Sequence, residues 1–267
     1  FSFVCGIIHT NYKAYAELRS SLAAPLVGAV SAWMVTAYCD KVLHLSATLP
    51  AYAPEKEIVC NVHGVRREFF QQYKSHKDGT TQAYFLGKLL WAKGLDKLLE
   101  LQELYRDLTG SHFNMDIYGS GPEENEIKQA FGGKATVTTY SYWMGESKGQ
   151  EALPVHFKGR VDHAKLDENR PGAYKIFVNP SISEVLCTVT AEALAMGKFV
   201  IIPHHPSNTF FAQFANCLQY HNDWDFVSQL QYALSHEPVQ DDNGSKHKLT
   251  WEAATERLIQ ASSISHR

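Results

Sequence analysis

Ile176-Phe177-Val178 is a run of strand-favouring residues stopped by Asn179-Pro180, and together with the twenty residues after it this run constrains the fold more than any other stretch. The run reads as a buried strand, and proline, which donates no ladder hydrogen bond, ends it. Beyond a short loop, Thr188 or Thr190 can cap a helix running through Ala191–Met196, and Gly197 can end it. A strand, a tight loop and a helix start present unbonded backbone N–H groups at one point, where the helix dipole favours an anion. Two carboxylates frame the loop: Glu184 before it and, in this reading, Glu192 inside the first helical turn. Amides for a phosphate and carboxylates for hydroxyls would suit a phosphate-linked sugar. A glutamate in a first turn is also what the dipole alone selects, so the segment by itself leaves both readings open.

The same rhythm recurs. Strands are expected at Phe3–Ile8, Lys41–Leu45, Ile58–Val62, Ala83–Leu86, Phe113–Tyr118, Val155–Phe157, Lys175–Val178 and Phe199–Ile202. Helices are expected over Leu22–Tyr38, with Leu26, Val30, Trp33 and Ala37 at helical spacing, and over Trp91–Leu108, with Leu95, Leu98, Leu99 and Leu104 on one face. Others follow Glu123-Glu124, span Phe226–Leu234 with Asp223 or Asp225 as N-cap, and span Trp251–Gln260 capped by Thr250. Strands alternating with helices argue for an α/β chain with parallel sheets, doubly wound by right-handed crossovers. Ligands of such units bind at the carboxyl ends of the strands. Residues 1–65 form the carboxy-terminal part of a first domain and polar residues 66–82 a linker. Residues 83–248 form a second domain, with a polar loop over Pro238–Lys248, and 249–267 a terminal helix that can pack back on the first. Residues 132–154, rich in Thr, Tyr and Gly, break the rhythm.

The 267 residues suffice for two ordinary α/β domains. Lys+Arg number 25 and Asp+Glu 28, a net charge of −3, which is no electrostatic footprint for nucleic acid. Five cysteines at 5, 39, 60, 187 and 217 form no C-x-x-C, so zinc and redox motifs are poorly supported and reduced thiols are expected. No apolar run reaches 18 residues. The opening FSFVCGIIHTNY reads like the interior of a domain, so upstream sequence is expected.

Further candidates fall at expected strand ends. Gly119-Ser120-Gly121-Pro122 lies between a strand and a helix, where a second glycine permits close approach to a phosphate or ribose. It lacks the third glycine of a dinucleotide fingerprint, and a plain turn explains it equally. Lys88 and Lys93 flank a strand-to-helix turn and could reach a diphosphate as point charges, or form a solvated surface pair. His9 ends a strand, as a core histidine or a substrate contact. Asp223-Trp224-Asp225 is better explained by helix capping than by metal.

Together, HTNY at 9–12, AYCDKVLHLSA at 37–47, CNVHGV at 60–65, YFLGKLLWAKG at 84–94, NPSISEVLCTVTAEALAMGKFV at 179–200, HPSN at 205–208 and LTWEAATERL at 249–258 resemble the GT-B glycosyltransferases of family 4, most closely the plant and algal digalactosyldiacylglycerol synthases. The family E-x7-E pattern corresponds to Glu184 and Glu192. The resemblance implies two Rossmann-like domains facing a cleft, the first incomplete here, and transfer of galactose from UDP-galactose to monogalactosyldiacylglycerol with retention. It implies no required cofactor or metal, a galactolipid acceptor, and peripheral docking at the plastid outer envelope. It assigns Lys88 and Lys93 to the UDP diphosphate, Glu192 to the ribose hydroxyls, Glu184 to donor-sugar hydroxyls near the reacting carbon, and His9, as a catalytic-site histidine, to the donor sugar's C6 region. It also gives Leu186, Cys187 and Thr188 backbone amide contacts, and lets Gly119 and Gly121 border the nucleotide. The alternatives are another family-4 transferase with a different acceptor, or a non-catalytic nucleotide-sugar-binding module. A chain lacking the amino-terminal part of the first domain is expected to bind donor poorly and transfer little.

Overall fold

Val42 and Leu43 are wholly buried, and around them the first strands of the chain pair in parallel. The computed structural model describes residues 3–11, 23–70, 81–133, 152–166, 174–240 and 244–263. The chain divides into two units: Phe1–Arg66 with Val185–Thr188 and Ser245–Arg267, and Arg67–Glu184 with Val189–Gly244.

In the first unit, β1 (Cys5–Ile8), α1 (Ala23–Tyr38), β2 (Lys41–His44) and β3 (Glu57–Val59) build a parallel sheet of order β1-β2-β3. The last turn of α1 carries no basic residue. Lys56 supplies one from the turn before β3, donating to Thr36 O at 2.9 Å and Cys39 O at 3.0 Å, where it offsets the dipole and satisfies terminal carbonyls. The expected apolar face of α1 is not covered by the described residues: Leu26, Val30 and Trp33 are exposed.

In the second unit, β4 (Ala83–Leu86), α2 (Leu95–Thr109), β5 (Met115–Tyr118), α3 (Glu124–Phe131), β6 (Val155–Gly159), β7 (Ile176–Val178), α4 (Thr188–Ala195), β8 (Phe199–Pro203), β9 (Cys217–Tyr220) and α5 (Asp223–Ser235) come in turn. All six strands are parallel, in the order β6-β5-β4-β7-β8-β9. Counted within the unit this is 3-2-1-4-5-6, the dinucleotide-fold order, and its direction of winding reverses between β4 and β7. Strands β4, β7 and β8 are buried along their whole length, as sheets covered on both faces require. Ala83, Phe85, Met115, Ile117, Ile176, Val178, Phe199 and Ile201 alternate onto one face, where Leu95, Leu98 and Leu101 of α2 and Phe226, Val227 and Leu230 of α5 pack against them. On the other face, Tyr84 packs between the rings of Tyr174 and Phe177.

The chain then returns to the first unit. There α6 (Trp251–Ser262) is capped by Thr250, whose Oγ1 accepts from Ala253 N at 3.2 Å as expected. Arg257 of α6 donates from Nε to Asn61 O at 2.6 Å.

Several expectations need correction. The helix expected over Trp91–Leu108 is a 3-10 turn, Trp91–Lys93, then α2, because Gly94 sits at φ 77° and interrupts the helical path. Strand β9 was not expected; its partly exposed edge position tolerates the polar CLQY. Asn222 rather than Asp223 or Asp225 caps α5, its Oδ1 accepting from Asp225 N at 2.9 Å. Helix α4 already runs at Thr190, so Thr190 is no cap, and Glu192 lies past the first turn, which contains no acidic residue. Dipole complementarity therefore does not account for Glu192. Residues 71–80 of the expected linker and 134–151 of the irregular stretch lie outside the described residues, while Phe69, ahead of both, is buried core.

Candidate active site

The site grows from the strand ends flanking the winding reversal. After β4 the chain runs Gly87-Lys88-Leu89, and this loop is tied to the one after β5: Gly87 N donates to Tyr118 O and Leu89 N to Ser120 O, both at 3.1 Å. The approach leaves no room for side chains opposite. A Cβ on Gly119, at φ 135°, would fall 1.8 Å from Gly87 O, and one on Gly121 would fall 2.1 Å from Leu89 O. Both glycines are thus required by the meeting of two backbones, whatever binds beside them. The next turn is held from both sides. Trp91 N donates to Glu123 Oε2 at 2.6 Å, and Ser183 Oγ, from the loop after β7, donates to Ala92 O at 2.7 Å.

This clamp delivers Lys93 to Glu184, with Nζ and Oε1 2.7 Å apart and both side chains largely covered. The loop carrying Glu184 is itself shaped by Asn179, whose Oδ1 accepts from Ser181 N at 3.2 Å. Lys88 is exposed, with no side-chain partner among the described residues. Glu192 projects from α4 and accepts from His163 Nδ1 at 2.9 Å. The second unit thus brings together Lys93 with Glu184 and Glu192 with His163, and sets Gly119 and Gly121 against the loop that carries Lys88.

The remaining expected residues group differently. Leu186, Cys187 and Thr188 fall in the short segment that belongs to the first unit, with Cys187 buried and Thr188 exposed at the start of α4. His9 comes directly after β1, at the carboxyl end of the first sheet as expected, exposed and with Nδ1 2.7 Å from Thr10 Oγ1. Asp223 accepts from Lys97 Nζ at 2.7 Å and Asp225 Oδ2 from His221 N at 2.9 Å, so both carboxylates serve the fold. His163, Ser183 and Glu123 were missed from sequence. His163 carried one signal, its place in GRVDH directly after a strand; the other two showed none.

Residues 66–213 match the family described as "Glycosyl transferases group 1". The chain belongs to that family. It is 41% identical to digalactosyldiacylglycerol synthase 1, chloroplastic, of Arabidopsis thaliana, over 99% of this chain and 31% of that protein. It is 39% identical to digalactosyldiacylglycerol synthase 2, chloroplastic, of Glycine max, over 99% of this chain and 54% of that protein. The chain thus spans from 31% to 54% of the length of these curated relatives. Among solved structures, sucrose-phosphate synthase from Thermosynechococcus elongatus superposes with a TM-score of 0.63 at 17% identity, covering 96% of this chain and 66% of that one. The lipopolysaccharide outer core galactosyltransferase WaaB gives 0.59 at 18% identity, covering 84% and 62%. These likenesses are of fold. They place the chain's fold among GT-B structures, with parallel sheets in both units.

Proposed function

We propose that the protein carrying this chain transfers galactose from UDP-galactose to the galactose headgroup of monogalactosyldiacylglycerol, with retention at the anomeric carbon. The observation that carries this reading is the 41% identity to a digalactosyldiacylglycerol synthase over 99% of the chain. The geometry is consistent with it. At the winding reversal, where doubly wound sheets receive nucleotides, Lys93 and Lys88 offer charge to a diphosphate, and Gly119 and Gly121 border the nucleotide. Glu184, paired with Lys93 before donor arrives, exchanges that partner for sugar hydroxyls while the phosphate oxygens take the ammonium. Glu192 takes the ribose hydroxyls. For His9, Leu186, Cys187 and Thr188 the roles rest on the resemblance alone.

In this reading the acceptor hydroxyl attacks C1 from the face that UDP leaves. The new C1–O bond forms as the C1–phosphate oxygen bond breaks, and the hydroxyl proton passes to the departing phosphate. A stable galactosyl adduct on Glu184 would overturn that step. The acceptor is a bilayer lipid, so the protein works from a membrane surface; relatives named chloroplastic support a plastid, and the outer envelope rests on the resemblance alone. Among the described residues no helix is long and apolar enough to cross a membrane. The test is lipid product analysis of the intact protein with UDP-galactose and monogalactosyldiacylglycerol. Digalactosyldiacylglycerol is expected from the native protein, and a loss of at least about 100-fold with Glu192→Ala. Turnover of soluble acceptors only would reject the reading, and full activity in that variant would remove the assignment of Glu192 to the donor.

A further inference from the structure

Glu192 is a carboxylate with one oxygen already committed. His163 Nδ1 lies 2.9 Å from its Oε2, and the Glu192 side chain retains 15% exposure against 38% for the imidazole. A ring nitrogen facing a carboxylate at this distance carries the proton, so Nδ1–H donates and the tautomer is fixed. The other oxygen, Oε1, has no partner among the described residues. The imidazole comes from a supported position. It opens the 3-10 turn His163–Lys165, whose cap Asp162 accepts from Ala164 N at 3.2 Å, and buried Leu166 anchors the turn's end. Nothing in the family pattern or in the lysine–glutamate pair accounts for this contact, which joins the loop after β6 to the helix after β7.

We propose that His163 is a positioning residue that presets Glu192 for the vicinal hydroxyls of a ribose, and thereby makes the site discriminate ribonucleotide from 2′-deoxyribonucleotide donors. The inference rests on the reading of Glu192 as the ribose carboxylate. A glutamate has three rotatable side-chain bonds, and a ligand that must order them loses affinity in doing so. With Oε2 held, that ordering precedes binding, and the free lone pairs point one way. The contact occupies only Oε2, so Oε1 keeps its lone pairs for hydroxyl donors. Loss of the imidazole should therefore weaken only the ligand that uses the hydroxyls.

The experiment is calorimetric binding of UDP and 2′-deoxy-UDP to the intact protein and three variants, with UDP-galactose kinetics alongside. The native protein is expected to prefer UDP by about tenfold or more. His163→Ala should cut that ratio about fivefold with 2′-deoxy-UDP affinity little changed, raising KM for UDP-galactose severalfold with kcat within about twofold. His163→Asn, whose amide can donate to Glu192, should restore most of the ratio. Equal weakening of both ligands by His163→Ala would make the histidine a structural clip and overturn the proposal, as would an unchanged ratio. Glu192→Ala separates the two claims. If it keeps the UDP preference, the ribose assignment itself fails. If it abolishes the preference while His163→Ala does not, only the positioning role is lost.

Discussion

Lys93 Nζ and Glu184 Oε1 lie 2.7 Å apart, joining loops 91 residues apart in sequence that extend from the neighbouring strands β4 and β7. With a quarter or less of either side chain exposed, the pair is neither a surface ornament nor a buried ion pair with its full desolvation cost. It stands where winding reverses, so the fold and the proposed chemistry draw on the same two charges.

A double-mutant cycle should register that double use. Glu184→Gln and Lys93→Met are each expected to cost about 1–2 kcal/mol in urea unfolding, since each strands a partly covered charge. The double variant should cost less than their sum, with a coupling of about 1 kcal/mol. In activity, Lys93→Met should lower kcat/KM about 100-fold, far beyond its effect on folding, because the ammonium is also assigned to the diphosphate. Strict additivity in unfolding would show the contact to be energetically empty.

The loop junction at the ends of β4 and β5 gives a second prediction. Gly119→Ala must place a methyl 1.8 Å from Gly87 O at a φ of 135°, and Gly121→Ala a methyl 2.1 Å from Leu89 O. In both cases the obstacle is backbone, which cannot swing aside. Each variant is expected to lose about 3 kcal/mol or more and to express mostly insoluble, and separating the loops should weaken donor binding in any folded fraction. A soluble Gly119→Ala protein with an unchanged melting temperature would contradict the packing described.

Helix α5 offers a smaller effect. Asn222 Oδ1 accepts from Asp225 N while Asp225 Oδ2 accepts from His221 N, a reciprocal cap at the helix start. Asn222→Ala should cost about 1 kcal/mol and Asn222→Asp almost nothing. Thermal unfolding of the three proteins side by side checks the order.

The alternation of apolar runs with glycine-marked turns made the parallel sheet of the second unit readable from the chain, because fully buried strands leave an unbroken apolar signature. Strand β9 escaped, since an edge strand need not be apolar. The split at Gly94 escaped because Leu95 and Leu98 keep a helical period whether or not the turn before them belongs to the helix. At the site, Glu184 and Lys93 were legible as residue types in loops after strands, and Glu192 as one in the helix that follows. Their pairing was not: no local pattern brings Lys93 to Glu184, and His163 reaches Glu192 by a crossover that leaves no local signature. Residues near in space but distant in sequence leave no periodicity to read.

Cys217 provides a test of burial on that unexpected edge strand. Burial pushes its thiol up from 9.0 to about 12, by disfavouring the thiolate. Only the thiolate is nucleophilic, so at pH 8 far less of Cys217 is reactive than of a thiol at 9.0. None of the five cysteines is in a disulfide, so each reports its own surroundings. Alkylation of the native protein with iodoacetamide at pH 8, followed by peptide mass spectrometry, should find Cys217 modified much more slowly than an ordinary thiol. The difference should vanish in denaturant, where the thiol returns to its usual range. Rapid native labelling at Cys217 would mean that β9 does not close the edge of the sheet as described. It would also loosen Tyr220 and the loops at that end of the unit, which depend on the same strand.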